Sequence, residues 1–265
     1  MRKNLMALIA SNRNRGFVRA DTSDASKAVV YVYDVICGSD EEAYWLGGIG
    51  PESFAKMLAG IDAPEIELRV NCPGGNVFGG RAMSAALKDH PARKTARVDG
   101  YAASAASYLI QACERVEMGE GSMIMIHNAW TIAWGNADEI EKTAALLKKI
   151  DATIVATYQA AAKRRGVEAP DFAAMMAAET WFTGPEAIAA GLADSETEDA
   201  AQDPANRVSW DVSAYLRAPG DTQKAPPPPN REKADPEAKA ADEGAEAHEI
   251  EHRKRRALAM ALQAA

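Results

Sequence analysis

Residues 69–75 read RVNCPGG, residues 100–107 read GYAASAAS, and residues 123–128 read MIMIHN. Each is an apolar run that ends at a glycine or a polar residue, the pattern of a strand delivering its last residues to a sheet edge. Such strand ends are where an α/β protein displays reactive groups, because backbone N–H groups and side chains converge there. Ser104 stands among small residues just after Gly100, so little bulk hinders a peptide approaching its hydroxyl. A serine needs a base to become a nucleophile, and His127 is the one histidine that ends a strand-like apolar run. His90 ends a helical segment, and His248 and His252 lie in an acidic stretch. The combination points to acyl-transfer chemistry.

Working outward, strands and helices alternate. The run AVVYVYDVIC (28–37) is rich in β-branched and aromatic residues and predicts a first strand. Residues 38–50 read as a loop, and proline at 51 opens a helix to about 60, with Phe54, Met57 and Leu58 on one face. Strands are expected over 66–70, 92–98, 115–118 and 123–127, with helices over 80–89 and 102–113. This alternation needs a parallel or mixed sheet covered by helices. Asn136 and Glu139 form a capping pair for a long helix running to about 165, where Gly166 marks its stop. Ile140, Leu147, Ile150, Ile154 and Tyr158 recur along it at helical spacing.

Bulk properties narrow the function classes. A chain of 265 residues with 47% hydrophobic content fits one large domain, or one domain plus an appendage. A net charge of −8 argues against a general nucleic-acid binder, whose affinity rests on neutralising phosphates. No apolar stretch is long enough to span a bilayer, and the apolar run after the basic start, Leu5 to Ala10, is short for a signal peptide. Cys37, Cys72 and Cys113 are too scattered for a zinc site or disulfide scaffold and read as reduced thiols of a cytoplasmic protein. The Gly74-Gly75 and Gly79-Gly80 pairs lack the Gly-Lys-Ser/Thr ending of a phosphate loop. No metal or organic cofactor is expected.

The ends differ from the middle. Residues 1–27 are polar and read as an arm outside the core. From about 196 the composition shifts to a polyproline run at Pro226–Pro229 and then to Ala, Glu, Asp and Lys. Such a stretch buries too little apolar surface to offset chain entropy, so 198–265 reads as a largely disordered tail, whose end EHRKRRALAMALQAA is a frayed tail or, as the alternative, a short docking helix. The expected domain is 28–197.

Three motifs in order resemble the ClpP family of serine peptidases: Asn71-Cys72-Pro73-Gly74-Gly75, then Gly100-Tyr101-Ala102-Ala103-Ser104, then Met125-Ile126-His127. A fourth, FTGPEAIAAGLAD at 182–194, follows, and the similarity runs from about Val29 to Asp194. The resemblance implies the α/β ClpP/crotonase-type superfold, with repeated β-β-α units and a long handle helix through which subunits form a ring. It implies Ser104 as nucleophile, His127 as general base, and the N–H groups of Gly75 and Ala105 as the oxyanion hole. Gly74, Asn76 and Val77 would line the substrate. The family's third residue is an aspartate, and the alignment through Pro185-Glu186-Ala187 puts Glu179 in its place. Thr180, Asp171 or a Ser–His dyad are the alternatives. The implied activity is serine endopeptidase on protein or peptide substrates. The divergent acid, the NCPGG turn and the charged tail look most like ClpP-like proteases of phage head maturation, which act on scaffold or capsid protein. A housekeeping subunit paired with an ATP-dependent unfoldase, and a catalytically impaired assembly protein, are the rival readings.

Overall fold

The structure, a computed structural model, describes residues 8, 11–13, 15–197 and 209–219. Its centre is one mixed sheet. β1 (Phe17–Asp21) runs antiparallel to β2 (Lys27–Tyr33), and β3 (Glu65–Cys72), β4 (Arg93–Ala103), β5 (Arg115–Gly119) and β8 (Ser195–Thr197) follow in parallel. β6 (Met123–Ile126) pairs parallel with the far end of β4 and antiparallel with β7 (Thr180–Phe182). This is the α/β class that the alternation of elements predicted.

The strands alternate because each has two different faces to satisfy. Val30, Val32, Leu68, Val70, Ala96 and Val98 are fully buried against the helices. On the opposite face Arg69 bonds Asp99 at 2.5 Å and Tyr33 donates its hydroxyl to Asp99 at 2.6 Å, with Lys27 paired to Glu67. The covering helices are α2 (Pro51–Ala59), α3 (Val77–Asp89) and α4 (Ala105–Leu109), which tightens into a 3-10 turn at Ile110–Ala112. Phe54, Leu58, Met83, Leu87 and Leu109 are the residues they bury.

α5 (Ala137–Arg164) is the predicted long helix, about 42 Å at 1.5 Å per residue. Asn136 Oδ1 accepts from Glu139 N–H at 3.1 Å, and the Glu139 carboxylate accepts from Asn136 N–H at 2.8 Å. Its apolar stripe is used unevenly. Ile150, Ile154, Tyr158, Ala161 and Ala162 are buried, whereas Ile140 and Leu146 stay about half exposed. Beyond it, α6 (Phe172–Ala177) and α7 (Gly184–Ala189) flank β7.

Four expectations change. Strand β4 runs on to Ala103, so the helix expected from 102 begins at Ala105. The loop expected at 38–50 contains α1 (Asp40–Leu46), whose N-terminus is capped by Ser39 Oγ accepting from Glu42 N–H. The arm expected at 1–27 contributes β1, because the outer edge of β2 needs a partner and Phe17 packs on Tyr31 and Tyr33. Leu8 and Asn12, in the same arm, are buried. Finally, a boundary at 197 falls short of the packed chain, since Ser209–Pro219 returns to the domain with Trp210 and Val212 buried. The rest of the expected tail, 198–208 and 220–265, lies outside the described residues.

The uneven use of α5 can be measured. Ile154→Ala removes a buried side chain and should destabilise the protein by about 2–5 kcal/mol in denaturant unfolding. Lys148→Ala, exposed on the same helix, should stay within about 0.5 kcal/mol.

Candidate functional site

Strand β4 serves two neighbours in turn. Its first half pairs with β5 from Thr95 to Val98, and its last residues pair with β6 through Tyr101↔Met123, Ala102↔Ile124 and Ala103↔Met125. Ser104 is the next residue. Its N–H donates to Met125 O at 2.8 Å, and its backbone turns to φ 53, ψ −119 before α4 begins. A non-glycine residue in that region carries about 1–3 kcal/mol of strain, which the ladders on both sides hold in place. The sharp strand-to-helix turn lifts the hydroxyl out of the sheet, as in a nucleophile elbow.

The same register brings in the histidine. His127 follows Ile126 at the end of β6, and Ser104 Oγ lies 2.7 Å from His127 Nε2. Continuing the antiparallel register from Ile126↔Thr180 by one residue sets Glu179 opposite His127. Glu179 is itself at φ 52 and is buried. Its carboxylate accepts from Leu216 N–H at 2.9 Å and from Arg217 N–H at 2.5 Å. Among the described residues, no acceptor hydrogen-bonds the second ring nitrogen of His127. Burial lowers the imidazole pKa to about 4, and the Glu179 charge works against that fall. The ring is therefore neutral, with a free lone pair, across the physiological range.

The other two acid-position alternatives are engaged elsewhere. Thr180 donates its hydroxyl to Met175 O at 2.7 Å, and Asp171 caps α6 by accepting from Ala174 N–H at 3.0 Å.

The Gly74-Gly75 turn closes the site from the β3 side. Both glycines have positive φ, 98 and 144. A Cβ on Gly75 would lie 2.0 Å from Ile36 O, and one on Gly74 would lie 2.8 Å from Ser104 Cβ. Only glycine permits this approach. Ile36 N–H donates to Gly74 O at 2.9 Å and Asn76 N–H to Ile36 O at 2.8 Å, which fixes the turn. Among the described residues, the N–H groups of Gly75 and of Ala105 donate to no turn or loop carbonyl. Ala105 opens α4, where the first amides have no partner within the helix.

Gly75, Asn76, Val77, Ser104 and His127 all line one cavity of about 260 Å³. Phe78, Trp130, Leu146, Leu147 and Ile150 make its walls apolar. The Asn76 side-chain oxygen, Oδ1, is occupied in capping α3, accepting from Phe78 N–H at 2.9 Å and Gly79 N–H at 3.0 Å. The structure thus gathers Ser104, His127, Gly75, Asn76 and Val77 around one space, with Gly74 behind Ser104 and Glu179 behind His127.

Tyr215 and Leu8 also line this cavity, and no motif pointed to either. For Tyr215 the available signal was compositional. SWDVSAYLR (209–217) carries two aromatics, a valine and a leucine inside an otherwise polar and proline-rich stretch. All three cysteines are buried free thiols, and burial pushes each up to about 12. Among the described residues, no cluster of three or more His, Cys, Asp or Glu side chains could hold a metal, and no helix is long and apolar enough to cross a membrane.

Because the folded pKa of His127 lies below its unfolded value of about 6.5, the unfolded chain binds the extra proton first as pH falls. The contribution of His127 to stability is therefore whole above about pH 6.5 and declines as pH drops toward 4. An NMR titration of the imidazole should show a neutral ring at pH 6. A ring already half protonated at pH 6.5 would contradict the buried geometry.

A family model described as Clp protease matches residues 55–199, more than half of the chain. Among solved structures, a ClpP1 mutant from Listeria monocytogenes is similar, with a TM-score of 0.52 and 18% sequence identity. That likeness covers 65% of this chain and 92% of the other, and it bears on the fold alone. A search of curated proteins found no significant match. The family match spans the glycine turn, the Ser104 elbow, the His127 strand end and Glu179, and on its extent the chain belongs to the Clp protease family.

Proposed function

We propose that this chain is a serine endopeptidase in which Ser104 is the nucleophile and His127 the general base. The observation that carries the reading is the 2.7 Å approach of Ser104 Oγ to a neutral His127 Nε2 at a strained elbow. Ser104 Oγ attacks the peptide carbonyl while His127 Nε2 takes its proton. The carbonyl oxygen becomes an oxyanion facing the N–H groups of Gly75 and Ala105, which need no reorganisation to meet it. His127 returns the proton to the departing amine, and water activated by the same imidazole releases the acyl group. Glu179 stabilises the transient imidazolium through its charge, opposite His127 across the β6–β7 ladder. The apolar cavity beside Ser104 holds substrate side chains, with Gly74, Asn76 and Val77 along the peptide.

Association follows from α5. Its N-terminal half, with Ile140 and Leu146, and the preceding loop, with Ile132 and the 85% exposed Trp134, form an apolar surface that packs against little among the described residues. We assign this surface to a ring-forming homo-oligomer acting in the cytoplasm. The divergent acid, the NCPGG turn and the charged C-terminal composition favour processing of scaffold or capsid protein in phage head maturation as the biological role.

Labelling, kinetics and light scattering test these assignments. A fluorophosphonate should label the protein at Ser104, and Ser104→Ala should abolish both labelling and turnover of a peptide while unfolding at the same denaturant concentration. Glu179→Gln should lower kcat by about 10²–10⁴-fold, whereas Thr180→Val and Asp171→Asn should change it less than about threefold. Labelling at another serine, or full activity of Ser104→Ala, would overturn the assignment. Trp134→Asp together with Leu146→Asp should reduce the mass measured by light scattering to that of smaller species. An unchanged mass would remove α5 from the interface.

A further inference from the structure

Ser209–Pro219 lies beyond the residues that match the family, yet it is fastened to the candidate site along its length. Trp210 Nε1 donates to Asn71 O at 2.9 Å, just upstream of the Gly74-Gly75 turn. Asp211 donates its N–H to Asn12 Oδ1 at 2.8 Å, and its carbonyl accepts from Asn12 Nδ2 at 3.0 Å. Trp210 and Val212 bury themselves with Val35 in a small apolar cluster, against which Tyr101, Trp181 and Tyr215 pack. Leu216 and Arg217 then supply the two N–H groups that hold the Glu179 carboxylate.

Tyr215 stands where these contacts meet. Its hydroxyl donates to Pro73 O, at the start of the glycine turn. That hydroxyl would be 3.1 Å from a Cβ on Gly74, and it lies beside the Ser104 side chain. Its ring meets the His127 imidazole at 82°, with centroids 5.3 Å apart, and Trp181 supports it from behind at 5.9 Å. Burial raises the phenol pKa, so the hydroxyl remains a donor throughout the working range. A single side chain therefore touches the turn, the serine and the histidine.

Whether this strap covers the site or builds it is decided by what coexists with it. With the strap in place, the Ser104–His127 bond is formed, and the cavity at Ser104 remains open with Tyr215 in its wall. A plug would have filled that space.

We infer that the Ser209–Pro219 strap completes the active site, with Tyr215 as a positioning residue that fixes the glycine turn and the His127 ring while the Leu216 and Arg217 amides fix Glu179. This rests on the reading of Ser104 and His127 as the nucleophile and base. Tyr215→Phe keeps the ring and removes the hydroxyl that holds the Pro73 carbonyl and lies beside Ser104. Tyr215→Ala removes the wall beside the imidazole, leaving Glu179 as the charged group facing it. Asn12→Ala loosens the strap without altering a side chain that touches Ser104 or His127.

The test uses the whole 265-residue chain. Turnover of a short unstructured peptide should show kcat reduced about tenfold in Tyr215→Phe and about a hundredfold in Tyr215→Ala, with KM within about twofold. Asn12→Ala should lower kcat in the same sense. The His127 imidazole, followed by NMR, should titrate closer to 6.5 in Tyr215→Ala than in the wild type, because water reaches the ring. A merely structural role would leave that titration unmoved. Unchanged or faster turnover in both Tyr215 variants overturns the inference, as does an unmoved His127 titration. Should the wild type neither turn over peptide nor accept the fluorophosphonate, the peptidase reading fails by itself, and the NMR titration still decides whether Tyr215 positions the histidine.

Discussion

Strand β4 imposes the constraint on which the site depends. It is hydrogen-bonded to β3 on one side and, on the other, first to β5 and then to β6. A strand held on both sides cannot relax at its end, so the unfavourable φ of Ser104 is sustained by the ladders that end at it, the last bond being its own N–H to Met125 O. The β6 register then makes Met125 the partner of Ala103, which leaves His127 two residues further along and within reach of Ser104 Oγ. A slip of one residue in that pairing would turn every side chain of β6 to the other face. The nucleophile–base geometry is thus a consequence of sheet register more than of local loop conformation.

The glycine turn follows the same logic from β3. Cys72 pairs with Ala102 after a register shift, so the chain leaves β3 beside the end of β4. The Gly75 backbone then presses on Ile36 too closely for any Cβ. The result is an amide edge, a hydroxyl and an imidazole arriving from three strands. Their mutual placement is rigid because each strand is fixed by a buried face: Val70 in β3, Val98 in β4 and Ile124 in β6 are all fully buried. The acid is less constrained, since it sits in a short connection between α6 and β7 and takes its hydrogen bonds from a segment remote in sequence.

Long periodic elements were legible in the sequence. The β-branched runs, the proline at the start of α2 and the Asn136–Glu139 capping pair each carry a local signal that tertiary packing did not override. Helix α1 was hidden because its capping signal, Ser39 followed by Glu42, sits among glycines that suggest a loop. Strand β1 was hidden because FVRAD has too few apolar residues to announce a strand, and it forms by completing the edge of β2. The packing of Trp210 and Tyr215 was hidden by the polar and proline-rich composition around them.

The sequence by itself determined the class of fold, the order of its central elements and, with the motif resemblance, the identity of Ser104, His127 and the glycine pair as candidates. It could do so because glycine, proline and alternating apolar residues act over a few positions, which is the range that local sterics and hydrogen bonding cover. Only the tertiary structure decided how far Ser104 lies from His127, that Glu179 is held by Leu216 and Arg217 rather than bonded to the imidazole, and that Tyr215 walls the cavity. Those facts depend on contacts between residues far apart in the chain, such as Asn12 with Asp211 and Asn71 with Trp210. Such contacts are fixed by burial and register across the whole sheet, and no short stretch of sequence encodes them.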